Sequence, residues 1–201
     1  MKAPHPALQV IIDEHVAVSA VLRSLVPLVE EGPGDEPRRF FDVLRAMLFY
    51  LDEFPEKRHH PNESNLLFPK VARRAPDLMP VIHRLESDHM QGENRIRELQ
   101  HQLLAWELLG DARRAEFAQN LKDYIRFYLD HMRVEEMQVL PAAIEHLQDD
   151  DWAELDRAFG IARDPLAGGL REPAYDRLFT RIVLAAPAPI GVGAELRKTA
   201  V

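Results

Sequence analysis

The sequence contains no cysteine. This absence excludes disulfides, thiolate metal ligands, iron–sulfur clusters and a cysteine nucleophile. Any metal site in the chain must therefore use nitrogen and oxygen ligands, which suit iron, manganese or zinc. Histidine, by contrast, is plentiful, with nine among 201 residues. The positions of these histidines decide which of them have a chemical role.

Positive charge is scarce, and long apolar runs are missing. The chain has 25 Lys and Arg against 33 Asp and Glu, a formal net charge of -8, which argues against a surface for nucleic acid or acidic membranes. The most apolar late stretch, residues 182–192, is short and interrupted by Pro187 and Pro189, so it does not span a bilayer. Residues 1–6 lack the apolar core of a signal peptide. We expect a cytoplasmic protein that binds neither nucleic acid nor membrane.

Four long segments repeat apolar residues at the period of an α-helix. They begin near Pro6, Asp35, Pro76 and Asp111, and the last ends near Leu147. Asp35 and Asp111 are candidate N-caps for the second and the fourth segment. Because the connections are short, we expect antiparallel neighbours. The sequence thus predicts an all-α, up-down-up-down four-helix bundle over residues 1–148.

The second of these segments contains two prolines, Pro55 and Pro61. Proline inside a helix removes a hydrogen bond and clashes with the preceding turn. The segment is therefore either one kinked helix or two helices in sequence.

The long segments with helical periodicity end before residue 149, and shorter segments follow. Two short helices are predicted there, one starting at Asp149-Asp150-Asp151-Trp152 and one over residues 172–184, and no cluster of catalytic residue types accompanies them. We interpret residues 149–201 as a helical and irregular arm. This arm packs either on the bundle or on the second subunit of a homodimer.

Two pairs of residues set an imidazole and a carboxylate four positions apart: His59 with Glu63, and His131 with Glu135. Residues at this spacing lie on one helix face, about 40° apart around the axis. Ionisable groups that face a core are costly unless they are paired or bound to a metal. Each pair is therefore either a metal clamp or a buried His–Glu hydrogen bond.

Two further histidines, His15 and His89, lie within the apolar stripes of the first and the third segment. Taken alone, each is more typical of a hydrogen-bonded core residue than of a ligand. With the two His–Glu pairs, however, every one of the four helices directs an imidazole at the core. Such groups need a shared partner, and a metal ion is the partner that suits them all.

Three additional residues are alternatives for the same site. His60 lies three before Glu63 and replaces His59 if a fresh helix begins at Pro61; otherwise it is a solvated surface residue. Glu86 lies three before His89, an arrangement found in di-metal carboxylate bundles, although a solvent-facing carboxylate is the simpler interpretation. Glu136 competes with Glu135, and helix geometry favours Glu135.

With these residues the chain resembles the hemerythrin-like, or HHE cation-binding, family over about residues 5–147. The resemblance rests on His15, on His59-His60-Pro61-Asn62-Glu63 followed by Leu67-Phe68-Pro69, on Asp88-His89, and on His131 to Glu136 followed by Leu140-Pro141. Residues 182–191 also resemble a tail seen in bacterial members. The resemblance implies a four-helix bundle around two non-haem irons bridged by carboxylates and an oxo or hydroxo group. It also implies handling of dioxygen, nitric oxide, peroxide or iron.

The family's metal ligands carry over one by one. His15 matches the lone ligand of the first helix, and His89 matches a ligand of the third helix. His59 and Glu63 match the ligand pair of the second helix, with Glu63 as the candidate bridging carboxylate. His131 and an acidic residue that follows it match the ligands of the fourth helix. Oxygen carriers of the family have two histidines four apart on the third helix, but here the neighbours at that spacing are Leu85 and Glu93. They also place an aspartate five after the fourth-helix histidine, where this chain has Glu136. The resemblance therefore implies four histidine and two glutamate ligands.

Three functions compete at this point. The leading hypothesis is a di-iron protein that binds or senses a small ligand such as dioxygen, peroxide or nitric oxide. The second is a peroxidase- or catalase-like enzyme with two irons or two manganese ions. The third is an interaction module whose metal, iron or zinc, is only structural.

Overall fold

The structure is a computed structural model that describes residues 5–161, 163–169 and 173–186. Within these ranges the chain is all-α, with no β-strand. The part of the tail from residue 187 onward, including its predicted resemblance to bacterial members, lies outside the described residues.

Nine α-helices, three π-helical segments and four short 3₁₀ turns make up the described ranges. The α-helices are α1 (Pro6–Glu31), α2 (Pro37–Leu51), α3 (His60–Asn62), α4 (Phe68–Arg74), α5 (Met79–Leu109), α6 (Arg114–Val134), α7 (Leu140–His146), α8 (Asp149–Ile161) and α9 (Asp176–Ala185). The π-helical segments are π1 (Asp52–His59), π2 (Glu63–Leu67) and π3 (Glu135–Val139). The 3₁₀ turns are Pro76–Leu78, Asp111–Arg113, Pro165–Ala167 and Pro173–Tyr175.

The chain from α2 to α4 is one helical run with no break at Pro55 or Pro61. Pro55 lies inside π1, and Pro69 and Pro141 are the second residues of α4 and α7, which follow π2 and π3. A proline ring clashes with the carbonyl four residues before it. The wider π-helical turn relieves this clash, so the prolines change the local helical register instead of ending the helix.

The predicted N-caps are wrong. The residue before α2 is Glu36, and neither it nor Asp35 makes a side-chain cap. Asp111 starts a 3₁₀ turn after Gly110, and its carboxylate accepts a hydrogen bond from the indole of Trp106 at 3.0 Å. Gly110 itself has φ 90, a left-handed value that only glycine adopts readily, and so it ends α5.

The helices pack around two apolar cores. Helix α1 contacts α2, α6 and α8; α5 contacts α2 and α6; α9 contacts α2. The larger core includes Leu22, Met47, Trp106, Tyr124 and Phe179, and the smaller core includes Ile11, Phe68, Leu85, Leu140 and Trp152. Both helices of the arm, α8 and α9, contribute to these cores.

In the part of the chain that the structure describes, no helix is both long and apolar enough to cross a membrane.

Candidate metal centre

A layer of buried histidine and glutamate side chains separates the two cores. On α1, for example, His15 lies between Ile11 of the smaller core and Val18 of the larger core. The layer contains five histidines and two glutamates, each at most 8% exposed: His15, His59, His60, Glu63, His89, His131 and Glu135. Ionisable groups at this depth need partners that offset the loss of hydration.

Four of these side chains form the first group: His15, His59, Glu63 and Glu135. Each offers one nitrogen or oxygen atom, and the four atoms lie within 4.8 Å of one another. His59 Nε2 is 2.6 Å from Glu63 Oε1, and His15 Nε2 is 3.4 Å from Glu135 Oε2. The group thus joins α1, the π1–π2 region and π3 at one point.

The second group consists of His60, Glu63, His89 and His131, again with ligand atoms within 4.8 Å. Nε2 of His89 lies 3.3 Å from Glu63 Oε2 and 3.2 Å from Nε2 of His131. The His60 and His89 rings stack with centroids 3.9 Å apart. Nitrogens from α3, α5 and α6 therefore converge on the second oxygen of Glu63.

Glu63 belongs to both groups. Its two oxygens face opposite ways, Oε1 toward His59 and Oε2 toward His89. A carboxylate in this position can bind two cations at once, one in each group. Its side chain is fully buried, so it has no access to water that would otherwise satisfy it.

The other ring nitrogen, Nδ1, of each histidine faces a polar side chain outside the two groups. The partners are Glu136 for His15 (2.9 Å), Glu14 for His59 (2.6 Å), Glu56 for His60 (2.9 Å), Ser64 for His89 (2.9 Å) and Asp88 for His131 (3.6 Å). Four of these contacts are hydrogen bonds, whereas Nδ1 of His131 has no hydrogen-bond partner among the described residues. A hydrogen-bonded partner of this kind holds the ring in place and leaves Nε2 free to face a metal. All five imidazoles are oriented in the same sense, with Nδ1 outward and Nε2 inward.

The first group carries charge in its metal-free form. Burial lowers the pKa of His15, but the neighbouring carboxylates of Glu135 and Glu136 outweigh burial and bring that pKa to about 9. Burial likewise opposes the charged form of His59, yet the carboxylates of Glu63 and Glu14 hold its pKa well above the usual value. Burial raises the pKa of Glu63, but the charge of the nearby His59 outweighs burial and holds that pKa well below the usual value.

Two histidines of the second group, His60 and His89, favour the neutral form. Burial and the neighbouring His89 lower the pKa of His60 well below its usual value, and burial also lowers the pKa of His89. Burial and the charge of Glu63 raise the pKa of Glu135. Neutral imidazoles beside an ionised carboxylate are the donor forms that a cation requires.

Several of the converging atoms have no hydrogen-bond partner among the described residues. These atoms are Nε2 of His59 and both oxygens of Glu63 and of Glu135. Buried polar atoms are almost always hydrogen-bonded. A cation within each group would satisfy these atoms together, so the residues fit a metal site.

The sequence profile of the hemerythrin HHE cation-binding domain matches residues 7–143. The chain belongs to this family. The match covers the helices that carry both groups and stops before the arm, whose helix α8 begins at Asp149. No curated protein and no solved structure gave a significant match.

The structure brings together all six residues that head the predicted ligand set of this hemerythrin-like chain: His15, His59, Glu63, His89, His131 and Glu135. Glu86 is half-buried and belongs to neither group. The Glu136 side chain is 43% exposed and contacts the outer nitrogen of His15, so Glu135 occupies the inner position. His83, on the opposite side of α5, is exposed.

The prediction for His60 is wrong. We expected His60 either to replace His59 or to lie at the surface, but both histidines are buried and they belong to different groups. The two groups together therefore contain five histidines, where the resemblance implied four histidine ligands. Adjacent residues on a regular α-helix point about 100° apart. Here the π-helical turns on either side of His60 alter that geometry, so that the pair serves both groups.

Three of the Nδ1 partners, Glu14, Glu56 and Ser64, were also missed by sequence reasoning. Glu56 lies four before His60, a spacing that signals a shared face. Glu14 and Ser64 lie on other helices from the histidines that they contact, and no spacing rule finds them. Only the folded arrangement identifies these residues.

A small cavity lies beside the first group. It has a volume of about 10 Å³, enough for roughly one water molecule. His15, His59, His60, Tyr128 and Asp164 are among the residues that line it. The cavity gives a small ligand a place next to the imidazoles, with little room for anything larger.

Proposed function

We propose that the protein is a non-haem di-iron protein that binds or senses a small oxidant ligand: dioxygen, peroxide or nitric oxide. In this proposal α1, the run from α2 to α4, α5 and the run from α6 to α7 form an up-down-up-down four-helix bundle around the irons. The observation that carries the proposal is that two groups of ligand atoms share one buried carboxylate, Glu63.

Each group would hold one iron. His15, His59 and Glu135 would bind the first and His60, His89 and His131 the second, with Glu63 shared between them. A set of five imidazoles and two carboxylates suits iron, whereas a carboxylate-rich set would suit manganese better. Zinc is the remaining alternative for a nitrogen-rich site.

Bound iron would supply a redox-active Lewis acid to which the small ligand coordinates. The chain contributes the surroundings of that site. Hydrogen-bonded outer partners hold four of the five histidine rings in place, and the two apolar cores limit the access of water. The cavity of about 10 Å³ beside His59 admits a diatomic molecule in preference to an organic substrate.

Metal content per chain and the ultraviolet–visible spectrum test the proposal. Protein purified from iron-supplemented cells should contain two irons per chain, one for each group. Near-ultraviolet bands should change on addition of azide or peroxide. One iron per chain or a zinc, with a featureless spectrum, would overturn the di-iron proposal and favour a mononuclear or structural metal.

A peroxide-turnover assay on the same preparation separates a binding protein from an enzyme. Stoichiometric spectral change without turnover supports binding or sensing. Sustained consumption of peroxide would contradict it and assign a peroxidase- or catalase-like activity.

A further inference from the structure

Asp164 lies in the arm, 21 residues beyond the end of the family match at residue 143, yet it reaches the candidate metal centre. It is 4% exposed and precedes the 3₁₀ turn Pro165–Ala167. Its carboxylate accepts a hydrogen bond from the Leu166 N–H at 2.7 Å and another from the Tyr50 hydroxyl. The Ala167 and Gly169 N–H groups donate to its carbonyl at 3.0 and 2.9 Å. The residue is thus held from three sides.

The backbone of Asp164 contacts the outer partner of His59. Its N–H donates to Glu14 Oε1 at 2.7 Å, and Glu14 Oε2 lies 2.6 Å from His59 Nδ1. The two oxygens of one carboxylate therefore join the arm to an imidazole of the first group. A hydrogen bond to a charged acceptor is stronger than one between neutral groups, so the N–H fixes the orientation of Glu14.

Asp164 also closes the small cavity. Its side chain lines this space together with Glu14, His15, His59 and His60. The wall of the cavity therefore includes a residue of the arm, which lies beyond the family match.

We propose that the arm completes the metal centre, with the Asp164 N–H acting as a positioning group that orients His59 through Glu14. The inference rests on the proposed function, because it assigns the arm a role in holding one of the two irons. The iron bound by His15, His59 and Glu135 depends on the arm, and the iron bound by His60, His89 and His131 does not.

The backbone angles of Asp164 allow a proline, which has no backbone N–H, at this position. With φ -64 and ψ 129, the residue already has the conformation that proline prefers. Asp164→Ala removes the carboxylate and keeps the N–H, whereas Asp164→Pro removes both. The difference between the two variants therefore reports on the N–H contact with Glu14.

The experiment measures iron release from the full-length loaded protein to a chelator, together with the spectrum in azide. In Asp164→Pro, half of the iron should leave faster than in Asp164→Ala, by about tenfold or more, which is the effect expected for loss of an outer partner of a ligand. The azide spectrum of the loaded protein should change in Asp164→Pro as well. Arg163→Ala, which breaks the ion pair to Asp13 in the same loop, controls for a loosened arm and should release iron at the wild-type rate.

A second variant keeps the test decisive if Asp164→Pro does not fold. Glu14→Gln leaves the arm intact but removes the charged acceptor of His59 Nδ1, and it should release the same half of the iron faster. Equal release by all variants would overturn the role of the arm, as would accelerated release of both irons together. Wild-type protein without two irons would instead overturn the proposed function.

Discussion

The hydroxyl of Tyr128 is hydrogen-bonded to Nε2 of His60 at 2.8 Å, the nitrogen that the proposed centre offers to a metal. This hydrogen bond and a cation therefore compete for the same nitrogen. Replacement of Tyr128 by phenylalanine should destabilise the metal-free protein by about 1 kcal/mol, because it removes a buried hydrogen bond. It should also tighten metal binding. Denaturant unfolding of the metal-free and loaded forms measures both effects.

Tyr124 supplies the matched control. It is equally buried, but its hydroxyl has no hydrogen-bond partner among the described residues. Tyr124→Phe should therefore leave metal affinity unchanged and should not reduce stability. If Tyr128→Phe weakens metal binding instead, the hydroxyl assists the metal and does not compete with it.

Glu63→Gln should remove more metal than any other single carboxylate substitution. The amide has lost the charge and one of the two anionic oxygens with which Glu63 faces His59 and His89. Metal content per chain should fall from two ions to one or none, as measured by elemental analysis. Retention of both ions would contradict the assignment of Glu63 as the shared ligand.

Glu136→Gln is the comparison for this prediction. Glu136 contacts only the outer nitrogen of His15, and its side chain is 43% exposed. The metal content should therefore stay at two ions per chain, with an affinity lower by about tenfold, as expected for an outer partner of a ligand. An equal loss of metal from both variants would place Glu136 among the ligands.

The structure places His60 in the second group beside His89 and His131, whereas the sequence predicted either a surface residue or a replacement for His59. His60→Gln should remove the metal of the second group, because His89 and His131 are the imidazoles that remain there. His83→Gln, at an exposed position on α5, should leave the metal content unchanged. Titration with Zn²⁺ or Fe²⁺ by calorimetry counts the sites in each variant. If His60→Gln still binds two metal ions per chain, His60 is not a ligand and the predicted set of four histidine ligands is correct.

Much of this arrangement follows from the sequence because it depends on local spacing. His131 and Glu135 share a face whatever their surroundings, and His15 lies in an apolar stripe that has to face a core. The same reasoning failed at His60, because a π-helical turn is not visible in a pattern based on 3.6 residues per turn. Pro55 and Pro61 indicated an irregular helix in this segment. Whether a proline ends the helix or widens it to a π-helical turn depends on tertiary packing.

The contact between Asp164 and Glu14 lay beyond the sequence for a different reason. The two residues are 150 positions apart, and the bond comes from a backbone N–H, which every residue except proline has. Apolar periodicity located the helices of the arm but gave no information about the turn between them. Long-range backbone contacts of this kind become visible only when the chain is folded.

Asp164 also predicts how stability depends on pH. Burial raises its pKa from 3.8 to about 6, with a smaller contribution from the charge of Glu14, although the Tyr50 hydroxyl and the Leu166 N–H oppose the rise. The folded protein thus favours the protonated carboxyl. This stabilisation is complete below the unfolded pKa of 3.8 and is lost as the pH rises through 6.

Asp164→Asn fixes the neutral form and should reverse this loss. The free energy of unfolding of the variant minus that of the wild type should increase by up to about 3 kcal/mol between pH 4 and pH 7.5. Glu14, Tyr50 and His59 are the titratable groups that face Asp164, and they are present in both proteins. Urea unfolding of the two metal-free proteins at several pH values measures the difference. A difference that stays constant, or that favours the wild type as the pH rises, would show that Asp164 is already ionised in its buried position at low pH.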